Sequence, residues 1–288
     1  MRPRANDDAS AAADVGPRVA LLRVDAGLRA AVPAEELAVA ERVVVATAHE
    51  LDPGTWAPER LRVGADAFAV LLLRGVITHE TAIAGRRSAE LLGPGDVFHP
   101  WRPVDGAVPR SSRWASDSGV VMAVLDGRFL AAARRWPQLF AVIHERLAEQ
   151  LDRATARAAI MALPRVEQRV LGLFWQLAER WGKVRPDGVV VELSLTHELI
   201  GQLIGAQRPT VSLALQSLAH EGLLQRTGHD AWLLAHDAHA ALPDVRPIGP
   251  VHIAAGPVPT RELPGHEASA PIKTAGRPGG ASRSAGAA

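Results

Sequence analysis

The stretch Thr196-His197-Glu198-Leu199-Ile200-Gly201-Gln202-Leu203-Ile204-Gly205-Ala206-Gln207-Arg208-Pro209-Thr210-Val211-Ser212 decides how this chain is read. Two short helices, 197–203 and 208–221, joined by a tight turn, give each of its residues a reason. Thr196 can cap the first helix, and Glu198 sits in its first turn near the positive helix end. Gly201 is small where the second helix crosses closely. Gly205 falls where the turn demands a backbone that most residues avoid. Pro209 is tolerated in the first turn of the second helix, and Gly222 suits its C-terminal stop. Ile200, Ile204, Val211, Leu215 and Leu218 supply the apolar face that fixes the two helices together. The spacing is that of a helix-turn-helix.

Working outward, Val189–Leu193 reads as a strand before the motif. Leu223–Arg226 and Ala231–Leu234 read as a hairpin after it, flanking Thr227-Gly228-His229-Asp230. These additions separate a winged helix, assigned here to residues 164–242, from a generic helical hairpin with a solvated face. Its candidate DNA contacts are Thr196, Gln207, Arg208, Pro209, Thr210, Ser212, Leu213 and Gln216. With the second helix in a major groove, Arg208 near its N-terminus can reach guanine O6 and N7. Thr210, Ser212 and Gln216 suit phosphates or base edges, and Leu213 suits a thymine methyl. The charge over 194–235 is 2 − 3 = −1, from Arg208 and Arg226 against Glu198, Glu221 and Asp230. Phosphate neutralisation supplies much of DNA affinity. Arg157, Arg165, Arg169, Arg180, Lys183 and Arg185, just upstream, are therefore candidates to supplement it, as is a basic tail.

Residues 137–163 lack glycine and internal proline and are expected to form one long helix ending before Pro164, which disfavours helical geometry at Leu163. Phe140, Leu147, Ala154 and Met161 recur every seven residues, as do His144, Leu151 and Ala158. Such a stripe fits either a core-facing helix or a homodimer seam. The helix is longer than a small domain can cover alone, which favours the seam. Residues 19–136 read mainly as short strands punctuated by glycine turns, including Phe68–Leu73, Val76–Thr81, Ser88–Leu92 and Val120–Leu125, with a short helix near 33–43. That spacing indicates a β-sandwich or roll. The ends, 1–18 and 243–288, are expected to be disordered; the second is rich in proline and glycine.

Composition narrows the function. The chain has 288 residues, 48% of them apolar, and a net charge of +1, which excludes polyanion binding through bulk charge. The absence of cysteine excludes disulfides, thiolate zinc, cysteine-ligated iron–sulfur clusters and cysteine nucleophiles. No apolar run is long enough for a transmembrane helix, and Met1–Arg18 is not a secretory signal, so a soluble cytoplasmic protein is expected. Ser111, Ser112 and Asp117 near His99 can be imagined as a hydrolytic set. There is, however, no nucleophile elbow, phosphate-cradling loop or paired-histidine metal motif. Neither an enzyme nor a metal site is expected.

The chain resembles the Crp/Fnr family of transcription regulators over about residues 60–235. The resemblance rests on Leu91-Leu92-Gly93-Pro94-Gly95-Asp96-Val97-Phe98, the long helix, and the helix-turn-helix from Leu195 to Leu215. It implies an α+β fold with an N-terminal cyclic-nucleotide-binding-like β-roll over 19–136, a dimerisation helix and a C-terminal winged helix-turn-helix. It also implies a homodimer on palindromic double-stranded DNA, with RNA polymerase a further candidate partner. The family's glycine-glutamate pair, which holds the ribose, falls on His99-Pro100. Its arginine-serine pair, which holds the cyclic phosphate, falls on Arg110-Ser111, followed by Ser112. Asp96, His99, Arg110, Ser111 and Ser112 are thus the candidate effector residues. The effector is expected to be a small molecule other than ordinary cyclic AMP, and no cofactor is assigned. The competing reading is a ligand-sensing dimer acting through protein partners, with weak or no specific DNA binding.

Overall fold

The structure, a computed structural model, describes residues 16–61, 63–101 and 108–242. The expected disorder of 1–18 and 243–288 falls almost entirely outside these residues; Arg18 already opens the first strand. The N-terminal half comprises β1 (Arg18–Ala20), α1 (Leu21–Val24), α2 (Ala26–Ala30), α3 (Leu37–Val43), β2 (Val45–Leu51), β3 (Gly54–Trp56), β4 (Ala69–Arg74), β5 (Ile77–Ile83), β6 (Arg86–Leu92), β7 (Val97–Phe98), β8 (Arg110–Ser116) and β9 (Val120–Leu125). Its strands form two antiparallel sheets, ordered β1-β2-β9-β4-β7 and β3-β8-β5-β6. Alternation puts one face of each strand inward. Val70, Leu72, Met122 and Val124 from the first sheet thereby meet Trp56, Ile77, Leu92 and Trp114 from the second.

Between residues 21 and 43 the chain is largely helical, which the strand-dominated reading did not anticipate beyond the 33–43 segment. Helices of four and five residues are too short for a 3.6-residue period to show. Leu21, Leu22 and Leu28 are nevertheless fully buried there. The cap of α2 is local: the Asp25 side chain accepts from the Leu28 amide at 2.9 Å. A helix α4 (Gly127–Arg135) was likewise not expected. Asp126 caps it by accepting from the Arg128 and Phe129 amides, and Phe129, Ala132 and Ala133 face inward.

The long helix α5 (Gln138–Met161) ends before Pro164. Leu139 and Ile143 bury its first turns. Beyond them the face against the roll is polar. Arg146 pairs with Asp25 at 2.6 Å, Gln150 accepts from the Val97 amide at 3.1 Å, and Arg157 donates to the Ala89 carbonyl at 3.0 Å. Arg153 pairs at 2.7 Å with Asp96, which also receives Arg180 of the next helix.

The C-terminal half continues with α6 (Val166–Trp181), β10 (Gly182–Arg185), β11 (Gly188–Val191), α7 (His197–Ile204), α8 (Arg208–His220), β12 (Leu224–Arg226) and β13 (Trp232–Leu234). Strand β10 was missed because, as Gly-Lys-Val-Arg at an exposed edge, it carries no apolar alternation. The strands form one antiparallel sheet, β10-β11-β13-β12. This half is not independent of the roll, because Ala89 and Leu91 of β6 belong to the same apolar cluster as Leu177, Leu195 and Ile200. No helix among the described residues is long and apolar enough to cross a membrane.

Gly93 marks a close approach between the halves. A Cβ there would stand 2.5 Å from Cζ2 of Trp181. Gly93→Ala should therefore cost about 1–3 kcal/mol of stability through overpacking, read from the urea midpoint. An unchanged midpoint would mean that Trp181 is free to move aside.

Candidate nucleic-acid interface

The Thr196 hydroxyl accepts from the Leu199 amide at 3.1 Å, capping α7. Gly205 ends α7 at φ +68°, in the left-handed region. Gly201 is small for a reason different from the one expected. A Cβ would lie 2.5 Å from the Ala206 carbonyl oxygen, so the turn, rather than the crossing helix, forbids it. The Ala206 amide closes that turn by donating to the Gly201 carbonyl at 2.8 Å. Val211, Ala214, Leu215 and Leu218 bury one side of α8 against Ile200, Leu203 and Ile204.

The other side of α8 faces solvent with Gln207, Arg208, Pro209, Thr210, Leu213 and Gln216. Leu213, at 67% exposure, is a large apolar side chain with nothing of its own fold to cover it. Ser212 is a correction to the expected set. It is half-buried, its hydroxyl donates to the Arg208 carbonyl at 3.1 Å, and it lies 2.8 Å from Nδ1 of His197. It braces α8 against α7 rather than joining the outer face. His197, unnamed in the sequence reading, is thereby a positioning residue for the second helix.

The wing is held by Arg226, whose guanidinium lies over the Trp232 ring at 5.4 Å and donates to the carbonyls of Gly228 and His229. A cleft of 510 Å³ gathers Thr196, His197, Glu198, Arg208, Arg226 and His229. Cap, helix tip and wing therefore open on one surface. The upstream cations contribute less than expected. Arg180 is occupied by Asp96, Arg157 by the Ala89 carbonyl, Arg169 by the Leu163 carbonyl at 2.6 Å, and Lys183 by Glu192 at 2.5 Å. Arg165 and Arg185 remain exposed.

The expected effector residues do not form one site. Asp96 is 3% exposed, and its carboxylate accepts from Arg153, Arg180 and the Gly93 amide. His99 is exposed and packs on Trp101. Arg110, Ser111 and Ser112 follow one another along β8, so that Arg110 and Ser112 share a face and Ser111 takes the opposite one. Ser112 lies 2.7 Å from Nε2 of His79. That imidazole stacks on Trp114 at 3.9 Å, and Phe98 and Trp56 surround the same indole. Aromatic rings thus cluster beside the residues expected to hold a phosphate.

Residues 168–240 match the Crp-like helix-turn-helix domain family. The "CRP-like cAMP-activated global transcriptional regulator" of Mycobacterium tuberculosis (strain ATCC 25618 / H37Rv) is 32% identical over 142 residues, which cover 48% of this chain and 62% of that protein. The chain is therefore similar to Crp-like regulators, most clearly over its helix-turn-helix segment. The cyclic AMP receptor protein of Thermus thermophilus is 26% identical over 139 residues, again 48% of this chain and 61% of that relative. The chain thus matches about three fifths of the length of these curated relatives. Among solved structures, FixK2 from Bradyrhizobium japonicum shares the fold at 18% identity with a TM-score of 0.53, over 70% of this chain and 99% of that one. The β-roll followed by a C-terminal helix-turn-helix is therefore a fold shared with that structure.

Burial of His79 predicts that the stability of the roll depends on pH. Burial, and then the nearby Arg110 guanidinium, push the His79 imidazole below the usual histidine range, and burial does the same to His49. An unfolded histidine takes up its proton near pH 6.5, whereas these do so only at lower pH in the folded state. Stability is full above that value and is lost as pH falls through it toward the folded values. Urea midpoints should drop between pH 7 and 5, and His79→Asn should flatten the drop. A drop of unchanged size in the variant would remove His79 from the account.

Proposed function

We propose that this chain is a homodimeric transcription regulator that reads a two-fold symmetric site on double-stranded DNA, with a β-roll that senses a small molecule. The observation that carries the reading is the outer face of α8. One side is packed against the fold, and the other offers Arg208 at its tip with Gln207, Thr210, Leu213 and Gln216 beside it, all exposed. That is the geometry of a helix set to lie in a major groove, with polar reach to base edges and an apolar contact for a thymine methyl. The curated relatives are named as transcription regulators or cyclic AMP receptors, which supports the same reading. A cytoplasmic location goes with it, and RNA polymerase is the partner on which a bound regulator would act.

The homodimer rests on α5. Phe140, His144, Leu147, Leu151, Ala154 and Ala158 are all exposed, with Leu151 at 68%, while the opposite face of the helix holds the roll. Met161, the last of the stripe, is half-buried and lies beside Gly205. A two-fold seam along this stripe would cover the apolar surface and set two α8 helices on one side of the dimer.

The effector is a small molecule other than ordinary cyclic AMP. Pro100 stands where the family holds the ribose with a carboxylate, and proline offers neither that acceptor nor an amide donor. The second reading, a sensor acting through protein partners, draws on the −1 charge of residues 194–235. Retention on nonspecific DNA that does not weaken as salt rises would favour it.

Selection of bound duplexes from a random pool, with and without cyclic AMP, tests the main reading and should return a palindrome. Arg208→Ala should weaken binding to the selected site by about 1–3 kcal/mol and blur one position per half-site. Undiminished binding would displace Arg208 from its role. Leu151→Glu should shift the sedimentation profile from dimer to monomer, and an unchanged profile would exclude the α5 seam.

A further inference from the structure

We infer that the β5–β6 hairpin of the sensor roll forms part of the DNA-contacting surface, with Arg86 and Arg87 meeting the phosphate backbone beside Arg208. The inference rests on the reading of the chain as a DNA-binding protein and adds a contact from outside the winged helix.

The hairpin is tight. Ile83 pairs with Arg86, leaving only Ala84 and Gly85 in the turn, both at positive φ (49° and 75°). A two-residue turn of that kind projects the flanking side chains rigidly. Alternation along β6 puts Arg87, Ala89 and Leu91 on one face. Ala89 and Leu91 are 3% and 5% exposed and sit in the apolar cluster of the winged helix. The burial of two residues of this strand therefore fixes where the arginine pair stands relative to α7 and α8.

That position is electrostatically apt. Arg87 lies 3.7 Å from Glu198, both side chains more than half exposed. Glu198 is in the first turn of α7, next to the Thr196 cap, where a negative charge opposes an approaching phosphate. Arg87 offsets it. Arg86 is exposed and has no ion-pair partner among the described residues. A cleft of 890 Å³ is lined jointly by Arg86, Arg87, Gln207 and Arg208. With the tip of the hairpin, residues 83–88, included, the charge of the reading surface changes from −1 to −1 + 2 = +1. The roll thus supplies cations that residues 194–235 lack, and phosphate recognition needs only such charge at the right place.

The test uses the full chain and its selected duplex, with affinity measured by fluorescence anisotropy across a salt series. Each lost phosphate contact lowers the slope of log affinity against log salt by about 0.9. The double variant Arg86→Ala, Arg87→Ala should therefore show a slope shallower by about 1–2. Its loss of affinity should be the same on specific and nonspecific duplexes, and should shrink by about tenfold between roughly 50 and 200 mM salt. Arg86→Lys with Arg87→Lys should keep the wild-type slope, because charge rather than shape is required. Should the double alanine variant fail to fold, Arg86→Gln alone, at an unpaired exposed residue, should still lower the slope by about 0.9. If the wild-type protein binds its site with sequence preference and the neutral variants share its slope, the hairpin contact is refuted while the regulator reading stands. If the wild-type protein binds no duplex at all, the regulator reading falls and this inference falls with it.

Discussion

A carboxylate that is 3% exposed must be neutralised where it lies, and Asp96 is neutralised by two arginines from two different helices. Its own backbone belongs to the turn between β6 and β7, which the Gly93 amide closes by donating to the same side chain at 2.8 Å. Arg153 arrives from α5 and Arg180 from α6. One buried charge therefore joins the roll, the long helix and the first helix of the helix-turn-helix half. Such a site adds little net stability compared with a well-packed apolar one, but loss of a single partner leaves an uncompensated charge. Its consequence is a fixed relation among three elements. Arg157 and Gln176 extend the network by donating to the Ala89 and Arg153 carbonyls.

The two faces of α5 consequently have different tasks. The face against the roll is polar after its first turns, so its contacts are directional and set register. The opposite face is apolar and exposed, suited to a second copy of the same helix. A change in the roll that shifts the β6–β7 turn would move Arg153 and Arg180 together. It would alter the exposed apolar face of α5 and the placement of α6 in one step. Trp181 packs against Gly93, and Ala89 and Leu91 lie inside the winged-helix cluster, so that half is packed directly on the roll.

Much of this was legible in the sequence where a local rule and a tertiary requirement coincide. Thr196, Gly205 and the apolar spacing through Leu218 announce the helix-turn-helix because capping, a left-handed turn and core packing each fix a residue type. The period-seven stripe of α5 was equally plain. What stayed hidden depends on partners far along the chain. Asp96 looks like one more turn aspartate until Arg153 and Arg180, 57 and 84 residues away, arrive beside it. Ser212 looks outward-facing on a helical projection until its hydroxyl oxygen is seen 2.8 Å from Nδ1 of His197. Arg86 and Arg87 read as solvated turn cations because nothing in their neighbourhood shows that α7 lies along β6. The short helices α1 and α2 were missed because tertiary burial, rather than helical period, selects them.

The most direct test of the account is a double-mutant cycle on unfolding free energy with Asp96→Asn, Arg180→Gln and their combination. If one carboxylate unites the roll with the helix-turn-helix half, the two changes should couple by about 0.5–3 kcal/mol, the double variant losing less than the sum of the single losses. Strict additivity would show that Asp96 and Arg180 act independently, and the two halves would then have to be held in register by their other contacts.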